Sequence, residues 1–215
     1  MSKANRINGT HDLEFPTIKY RHRQIFDIAR QIHGRGFIAG GAARALIHPI
    51  VPADIDIFCL HTDCEDAIAT ALYNMEYDEE KLPGKTPCRL FSPRNLPGGY
   101  ITVQLIRPIS GRFGTPMEVM QNFGFFCEQY AYDSRNVMSS FEADRDTKAK
   151  ELHVNIITNP LDQAWRANKY GKKGFTISRQ EITYLFAEWD CLPPHEKSRM
   201  IKQQMYSVDN SDQAL

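Results

Sequence analysis

Apolar residues recur along this chain with two different periods. Between residues 16 and 33, isoleucines at positions 18, 25, 28 and 32 share one helical face, and Gly34 follows them, which predicts an amphipathic helix. From Asp54 to Leu60, apolar and polar residues alternate one by one, which predicts a strand with Asp54 and Asp56 on the same face. Both patterns return later, so the sequence predicts alternating helices and strands without internal repeats.

The remaining elements are predicted from shorter signals. Apolar or aromatic runs predict strands over residues 37–39, 88–91, 100–107 and 125–132. A short helix is expected over 42–48, before Pro49. Capping signatures predict four further helix starts, at Thr62-x-x-Glu65, Thr115-Pro116-x-Glu118, Asn159-Pro160 and Ser178-x-x-Glu181.

The pattern suggests one main domain with an appendage. We predict a core over residues 16–135 and a mainly helical extension over 136–195. Residues 1–15 and 196–215 are polar, and we expect them to be weakly ordered tails.

Composition excludes several classes of protein. The chain carries 26 basic and 26 acidic residues, so no global field attracts nucleic acid or an anionic membrane, and such binding would need a local patch. The five cysteines form no C-x-x-C pair, as expected of free thiols in a reducing compartment. No apolar run reaches membrane-spanning length. We expect a soluble, cytoplasmic protein without a membrane partner.

The candidate chemistry lies in the segment FIAGGAARALIHPIVPADIDIFCL, residues 37–60. Gly40 and Gly41 lead into a helix, where the backbone can approach phosphate oxygens closely. Arg44, one turn later, offers a planar cation for the same oxygens. Asp54 and Asp56 present two carboxylates to a common point, as Mg²⁺ requires beside substrate phosphates. Together these are the parts that nucleotidyl transfer needs.

Each part also has a plainer interpretation. A glycine pair by itself usually marks a turn, and an alternating Asp-Ile-Asp-Ile strand by itself is more often a solvated sheet edge. Their conjunction in a strand–helix–strand context favours the phosphate and metal site.

This segment resembles the nucleotidyltransferase superfamily typified by DNA polymerase β. Gly40-Gly41-Ala42 and Asp54-Ile55-Asp56 match its signature, and GGAAR followed by ADIDIF is most similar to the head domain of tRNA nucleotidyltransferases and poly(A) polymerases. Arg44 matches an arginine of that motif, whereas Ala45 stands where the family has aspartate. The resemblance implies an α+β fold, a mixed sheet flanked by helices with a small helical C-terminal extension, and Mg²⁺ or Mn²⁺ held by Asp54 and Asp56.

One departure from the family concerns its third carboxylate, on a neighbouring strand. The strand YITVQLIRP carries Thr102, Gln104 and Ile106 on one face, and Gln104 aligns with the missing acid. A glutamine carbonyl can ligate Mg²⁺ but brings no charge and cannot act as a base. Glu128 is the candidate substitute, with a solvated strand residue as the alternative.

A second candidate region is basic. Between Asp162 and Glu181 the chain has no acid, and cations alternate with aromatic residues, an arrangement that suits a nucleotide. A solvated helix face above core aromatics is the alternative. The segment is similar to an R-x-x-K-Y-x-x-K-G-F run in nucleotidyltransferase-like proteins of large viruses and bacteriophages. The predicted nucleotide contacts here are Arg166, Lys169, Tyr170, Lys172 and Lys173.

The resemblance implies transfer of a nucleoside monophosphate from an NTP, ATP included, to an acceptor hydroxyl with release of pyrophosphate. An RNA 3′ end, a protein side chain and a small molecule stay open as acceptors. A catalytically silent nucleotide- or RNA-binding module is the main alternative, favoured by Gln104. The third interpretation is a purely structural protein, which would leave the glycine pair and Arg44 unexplained.

Overall fold

The computed structural model describes residues 5–6, 16–81, 88–94, 100–107 and 114–211, with backbone only for 5–6, 16–20 and 203–211. The chain divides into two compact units. The first unit comprises Met1–Asn122 and Glu128–Ala143, and the second comprises Phe123–Cys127 and Asp144–Leu215.

Helices and strands alternate over the described residues. The helices are α1 (Pro16–Gln31), α2 (Gly41–Ala45), α3 (Glu65–Asn74), α4 (Pro116–Gln121), α5 (Phe141–Ala149), α6 (Pro160–Lys172), α7 (Arg179–Cys191) and α8 (Pro194–Ser211). The strands are β1 (Asn5–Arg6), β2 (Gly36–Ala39), β3 (Ile55–Cys59), β4 (Tyr77–Glu80), β5 (Cys88–Pro93), β6 (Val103–Ile106), β7 (Tyr130–Tyr132), β8 (Asn136–Ser139), β9 (Glu151–Leu152) and β10 (Thr176–Ile177).

The first unit is built on one mixed sheet. Over the described residues its strand order is β1-β8-β7-β2-β3-β6-β5-β4. β3 and β6 pair in parallel, whereas every other adjacent pair in this sheet is antiparallel. The predicted α+β fold with a mixed sheet is therefore confirmed.

The core of the first unit lies on one face of this sheet. Helix α1 contributes Ile25, Ile28 and Ile32, each at most 1% exposed, as its isoleucine spacing predicts. Ile55 and Ile57 of β3 join the same cluster, because the alternation along β3 turns them to the side opposite Asp56.

A buried glutamine ties α1 to the segment before β6. Gln24 is 1% exposed, and its amide both donates to the carbonyl of Ile101 (2.6 Å) and accepts from the Ile101 N–H (3.0 Å). It also donates to the Tyr77 hydroxyl. Since a buried amide is costly unless its groups are paired, this bonding fixes where β6 begins relative to α1.

Several sequence predictions of single elements are confirmed. Helix α4 begins with the predicted capping box: Thr115 Oγ1 accepts from the Glu118 N–H, and Glu118 accepts from the Thr115 N–H. The side chains of Asn159 and Ser178 cap α6 and α7. Glu181, however, does not complete a box, because its carboxylate accepts from the Val154 N–H.

Other predictions of elements need correction. Thr62 and Glu65 form no capping box, since a 3-10 turn occupies Thr62–Cys64 and α3 starts without a side-chain cap. The predicted strand 125–132 contains a 3-10 turn at Phe126–Glu128, and only Tyr130–Tyr132 is a strand. Most of the expected loose tail at 196–215 belongs to helix α8, where Met200 is buried.

The second unit has a hydrophobic core of its own. Phe125, Leu152 and Phe175 form its buried cluster, and the ring of Tyr170 packs edge-on against both phenylalanines. Strands β9 and β10 pair in parallel beside this cluster.

Two findings concern the whole described part of the chain. None of the helices described there is both long enough and apolar enough to cross a membrane. All five cysteines are free thiols, with Cys59 and Cys127 buried.

Strand β4, which the sequence did not predict, belongs to a charge network at the sheet edge. The Arg89 guanidinium makes paired hydrogen bonds to Glu79 (2.8 and 2.7 Å) and also reaches Glu65 at 3.4 Å. Its side chain is only 13% exposed. Strand β4 could not be predicted because its sequence is Tyr-Asp-Glu-Glu. Three consecutive charged residues at a sheet edge give no alternation of apolar and polar positions.

Loss of Arg89 should destabilise the fold. We expect Arg89→Gln to lower the free energy of unfolding by about 2–3 kcal/mol, because it leaves two partly buried carboxylates without this cation. Arg94→Gln is the matched control, since the Arg94–Asp78 pair on the same hairpin is about half exposed and its loss should lower the free energy of unfolding clearly less. Urea unfolding measures both, and equal losses would contradict this assignment.

The same network predicts a dependence on pH. Hydrogen bonds from Arg89 hold the pKa of Glu79 at about 2, below its ordinary 4.5. A carboxyl group whose pKa is depressed by folding stabilises the fold above the unfolded pKa, and this stabilisation is lost as pH falls through the folded pKa. The stability gap between wild type and Arg89→Gln should therefore shrink between pH 4.5 and about 2. A gap that stays constant over that range would show that Glu79 is not the group involved.

Candidate functional site

The chain turns sharply between β2 and α2 at Gly40. Its φ of 73° and ψ of −137° lie in a region that residues with a side chain avoid. The Gly40 N–H donates to the Tyr130 carbonyl of β7 (2.8 Å), and its own carbonyl accepts from the Arg44 N–H (3.0 Å). Backbone conformation therefore requires a glycine at position 40.

Gly41 is different, because nothing in the fold demands it. Its φ is not positive, and a Cβ added there would have no neighbour within 4 Å. The residue is partly exposed. Helix α2 has only five residues and so contributes little dipole, but the space above Gly41 lets a ligand approach the backbone directly.

The two aspartates lie beside this turn. Both are partly buried, and a Cβ placed on Gly40 would come within 3.8 Å of Asp56 Oδ2. Asp56 lies opposite Ala39 in the pairing of β3 with β2, one residue before Gly40. Asp56 and the glycine turn are therefore neighbours in the fold.

Gln104 of β6 lies next to the two aspartates. In the parallel pairing of β3 with β6 it lies directly opposite Asp56, and its Nε2 donates to Asp54 Oδ2 at 3.3 Å. The structure therefore brings Asp54, Asp56 and Gln104 together on the sheet face opposite the helical core.

Two of the predicted phosphate-binding residues point inward. Arg44 is 2% exposed and Ala42 is 1% exposed, and Ala42 packs in the core cluster. The motif predicted that Arg44 offers its guanidinium to a phosphate, but its side chain is enclosed because α2 lies over the sheet on the core side. From Ala42 only the backbone is available to a ligand.

Glu128 does not take the place of a third acid in β6. It is 2% exposed and belongs to the 3-10 turn that precedes β7, so the predicted solvated strand position is wrong as well. Glu128 precedes β7, which β2 separates from β3, so it does not occupy the β6 position opposite Asp56.

The predicted basic contacts lie on and just after α6, in the second unit. Lys169 Nζ is 3.8 Å from the centre of the Trp165 ring, and Lys173 Nζ is 5.6 Å from that of Tyr170. Lys172 is exposed and Arg166 partly exposed. The Tyr170 ring packs in the core of this unit, and Lys150, distant in sequence, lies over the ring of Phe175 in the same cluster at 4.7 Å.

Two contributors to the first-unit site have no signal in the sequence. One is the Tyr130 carbonyl, which fixes Gly40 and gives no side-chain signal. The other is Cys88, whose thiol pKa is raised by burial and by the Asp56 carboxylate, so it stays protonated at neutral pH. Only the strand pairing could place Cys88 on this face, because it is 32 residues from Asp56 in sequence.

The donor set fits a hard divalent cation in part. Two carboxylates and an amide group meet beside an open backbone turn, and such oxygen atoms are the ligands of Mg²⁺. Among the residues that the structure describes, no three His, Cys, Asp or Glu side chains converge as a ligand set. Phosphates or water would have to supply the remaining ligands.

Solved structures share this fold. A CCA-adding enzyme in complex with CTP matches with a TM-score of 0.59 at 14% identity, over 93% of this chain and 52% of that one. A tRNA nucleotidyltransferase complexed with a primer tRNA and an incoming ATP analog matches with 0.54 at 17% identity, over 83% and 55%. The Thermotoga maritima CCA-adding enzyme complexed with tRNA matches with 0.54 at 18% identity, over 80% and 42%.

These matches establish the fold that the glycine and aspartate motif implies. The chain spans about half the length of the solved structures it matches. No family model matches the sequence, and no curated protein matches it either.

The two glycines should respond differently to substitution. We expect Gly40→Ala to lower the free energy of unfolding by about 1–3 kcal/mol, because alanine is strained at its backbone angles. Gly41→Ala should leave stability unchanged or raise it by up to about 1 kcal/mol, since its space is open and alanine favours a helix. Thermal and urea unfolding test the pair, and a large loss for Gly41→Ala would refute the open space above it.

Proposed function

We propose that this chain is a divalent-metal-dependent nucleotidyltransferase that moves a nucleoside monophosphate from an NTP to an acceptor hydroxyl. The acceptor oxygen forms a bond to the α-phosphorus, the bond from that phosphorus to the β-phosphate bridge breaks, and pyrophosphate leaves. The hydroxyl proton passes to solvent.

The observation that carries this proposal is the meeting of Asp54, Asp56 and the Gly40 turn on the open face of the sheet. Neither aspartate belongs to the core cluster, to which β3 contributes Ile55 and Ile57 from its other face. The fold shared with CCA-adding enzymes and a tRNA nucleotidyltransferase supports the same chemistry.

Asp54 and Asp56 would hold Mg²⁺, or Mn²⁺ in its place. When bound, such a cation offsets the charge that develops on the leaving phosphate oxygens. Gly40 and Gly41 would let the triphosphate approach the backbone. Taken by itself, the second unit offers Lys169, Lys172, Lys173 and Arg166 as a basic group that could bind phosphates.

An RNA 3′ hydroxyl is the acceptor that we place first, because two of the similar structures are complexes with tRNA. The balanced net charge speaks against a long nucleic-acid track. The transfer assay with each α-³²P NTP therefore offers RNA, protein and small-molecule acceptors in separate arms.

A nucleotide-binding module without catalysis is the second candidate. The hydrogen bond from Gln104 to Asp54 favours it, because an amide replaces the acid that would attract a further cation. Binding of NTP without transfer in every acceptor arm would establish this candidate and overturn the enzyme.

Either aspartate should be essential for transfer. Asp54→Asn and Asp56→Asn each remove a carboxylate ligand while keeping the shape of the side chain, so label transfer from each α-³²P NTP should fall at least about a hundredfold, as for other essential electrostatic groups. The fold should persist, because neither side chain belongs to the core cluster.

Asp78→Asn serves as the control, since Asp78 lies on β4, is about half exposed and pairs with Arg94. It should transfer label like the wild type. If either Asp54→Asn or Asp56→Asn kept wild-type turnover, the metal site would have to lie elsewhere.

A further inference from the structure

One line of paired residues crosses the sheet through the candidate site. We call it the Asp56 row. From β8 to β4 it runs Met138, Ala131, Ala39, Asp56, Gln104, Leu90 and Glu80. Side chains of directly paired residues lie on the same face of a sheet, so the row shows which groups can reach Asp56 from the side.

Only one position in the Asp56 row could place a second acid beside Asp56 on the β6 side. Adjacent strands are about 4.8 Å apart, and two cations that share a catalytic site lie about 3.5–4 Å apart. A further carboxylate for such a pair would therefore come from a strand next to Asp56. The two adjacent positions in the row are Ala39 in β2 and Gln104 in β6.

Gln104 is oriented as a donor rather than as a ligand. Its Nε2 points to Asp54 Oδ2 at 3.3 Å, and an amide N–H has no lone pair to offer a cation. The hydrogen bond holds the Asp54 carboxylate in place and leaves the site with two negative charges.

Within the Asp56 row, no other carboxylate stands next to Asp56. Glu80 is three strand spacings from β3, roughly 14 Å, and it accepts a hydrogen bond from Ser92. Glu128 lies outside this row, in the 3-10 turn before β7. The sequence stretches that flank β5 and β6, at 82–87, 95–99 and 108–113, contain no aspartate or glutamate.

We propose that the site binds an NTP with a single divalent cation per chain, and that Gln104 is a positioning residue that holds Asp54 for this cation. This inference rests on the proposed function, since it assumes that Asp54 and Asp56 receive a metal–nucleotide complex. It goes further by stating the stoichiometry and by giving Gln104 a role other than that of a ligand. This cation would bind the triphosphate, and no second cation would contact the attacking hydroxyl.

The test counts bound cations and does not depend on activity. Mn²⁺ is titrated by electron paramagnetic resonance into the protein saturated with an ATP analogue whose α–β bridge is a methylene group. Wild type should bind one Mn²⁺ per chain. Gln104→Asp should bind two, and its first site should tighten by about tenfold because a carboxylate replaces a neutral amide. Gln104→Asn is the matched control and should stay at one.

The outcomes separate this inference from the proposed function. Two Mn²⁺ per wild-type chain would overturn the single-cation inference while supporting the proposed function. No Mn²⁺ beyond the amount that the free analogue binds would overturn the proposed function itself. A count of one in Gln104→Asp and also in Gln104→Glu, both folded by thermal melt, would overturn the assignment of Gln104 to the second-cation position.

Discussion

The candidate site depends on the parallel pairing of β3 with β6. In a sheet whose other adjacent strands are antiparallel, this pair fixes Gln104 opposite Asp56 and lets its amide reach Asp54. A shift of one residue in register would turn Gln104 toward the core and expose an apolar side chain beside the aspartates. The buried bonds of Gln24 to Ile101 help to prevent that shift, because they fix the chain two residues before β6 begins.

The core cluster and the candidate site lie on opposite faces of this sheet. On one face, α1 and the isoleucines of β3 build the core, and Arg89 holds the β4 edge through its carboxylate partners. The other face carries the aspartates and Gln104. Because the aspartates and Gln104 lie outside the core cluster, they can be changed without emptying it.

The sequence predicted what local patterns determine. Helical spacing located α1, alternation located β3, and glycine and aspartate motifs located the site and the fold. Strand β4 could not be predicted, since its charged residues have no apolar period, and neither could the burial of Arg44, which depends on how α2 lies over the sheet. The hydrogen bond of Gln104 to Asp54 and the proximity of Cys88 to Asp56 arise from pairing between distant strands, which local patterns do not encode.

The central claim is that the open face of the first unit receives a metal–nucleotide complex at Asp54 and Asp56. Paramagnetic broadening tests it most directly: Mn²⁺ and a non-hydrolysable ATP analogue are added to ¹⁵N-labelled protein, and amide signals are followed by NMR. The account predicts that the signals of Gly41, Asp56 and the Gln104 side-chain amide disappear first. The opposite result would contradict the account: the signals of Glu65 and Glu79, which are the acidic partners of Arg89, disappear first, while those of Gly41 and Gln104 stay intact.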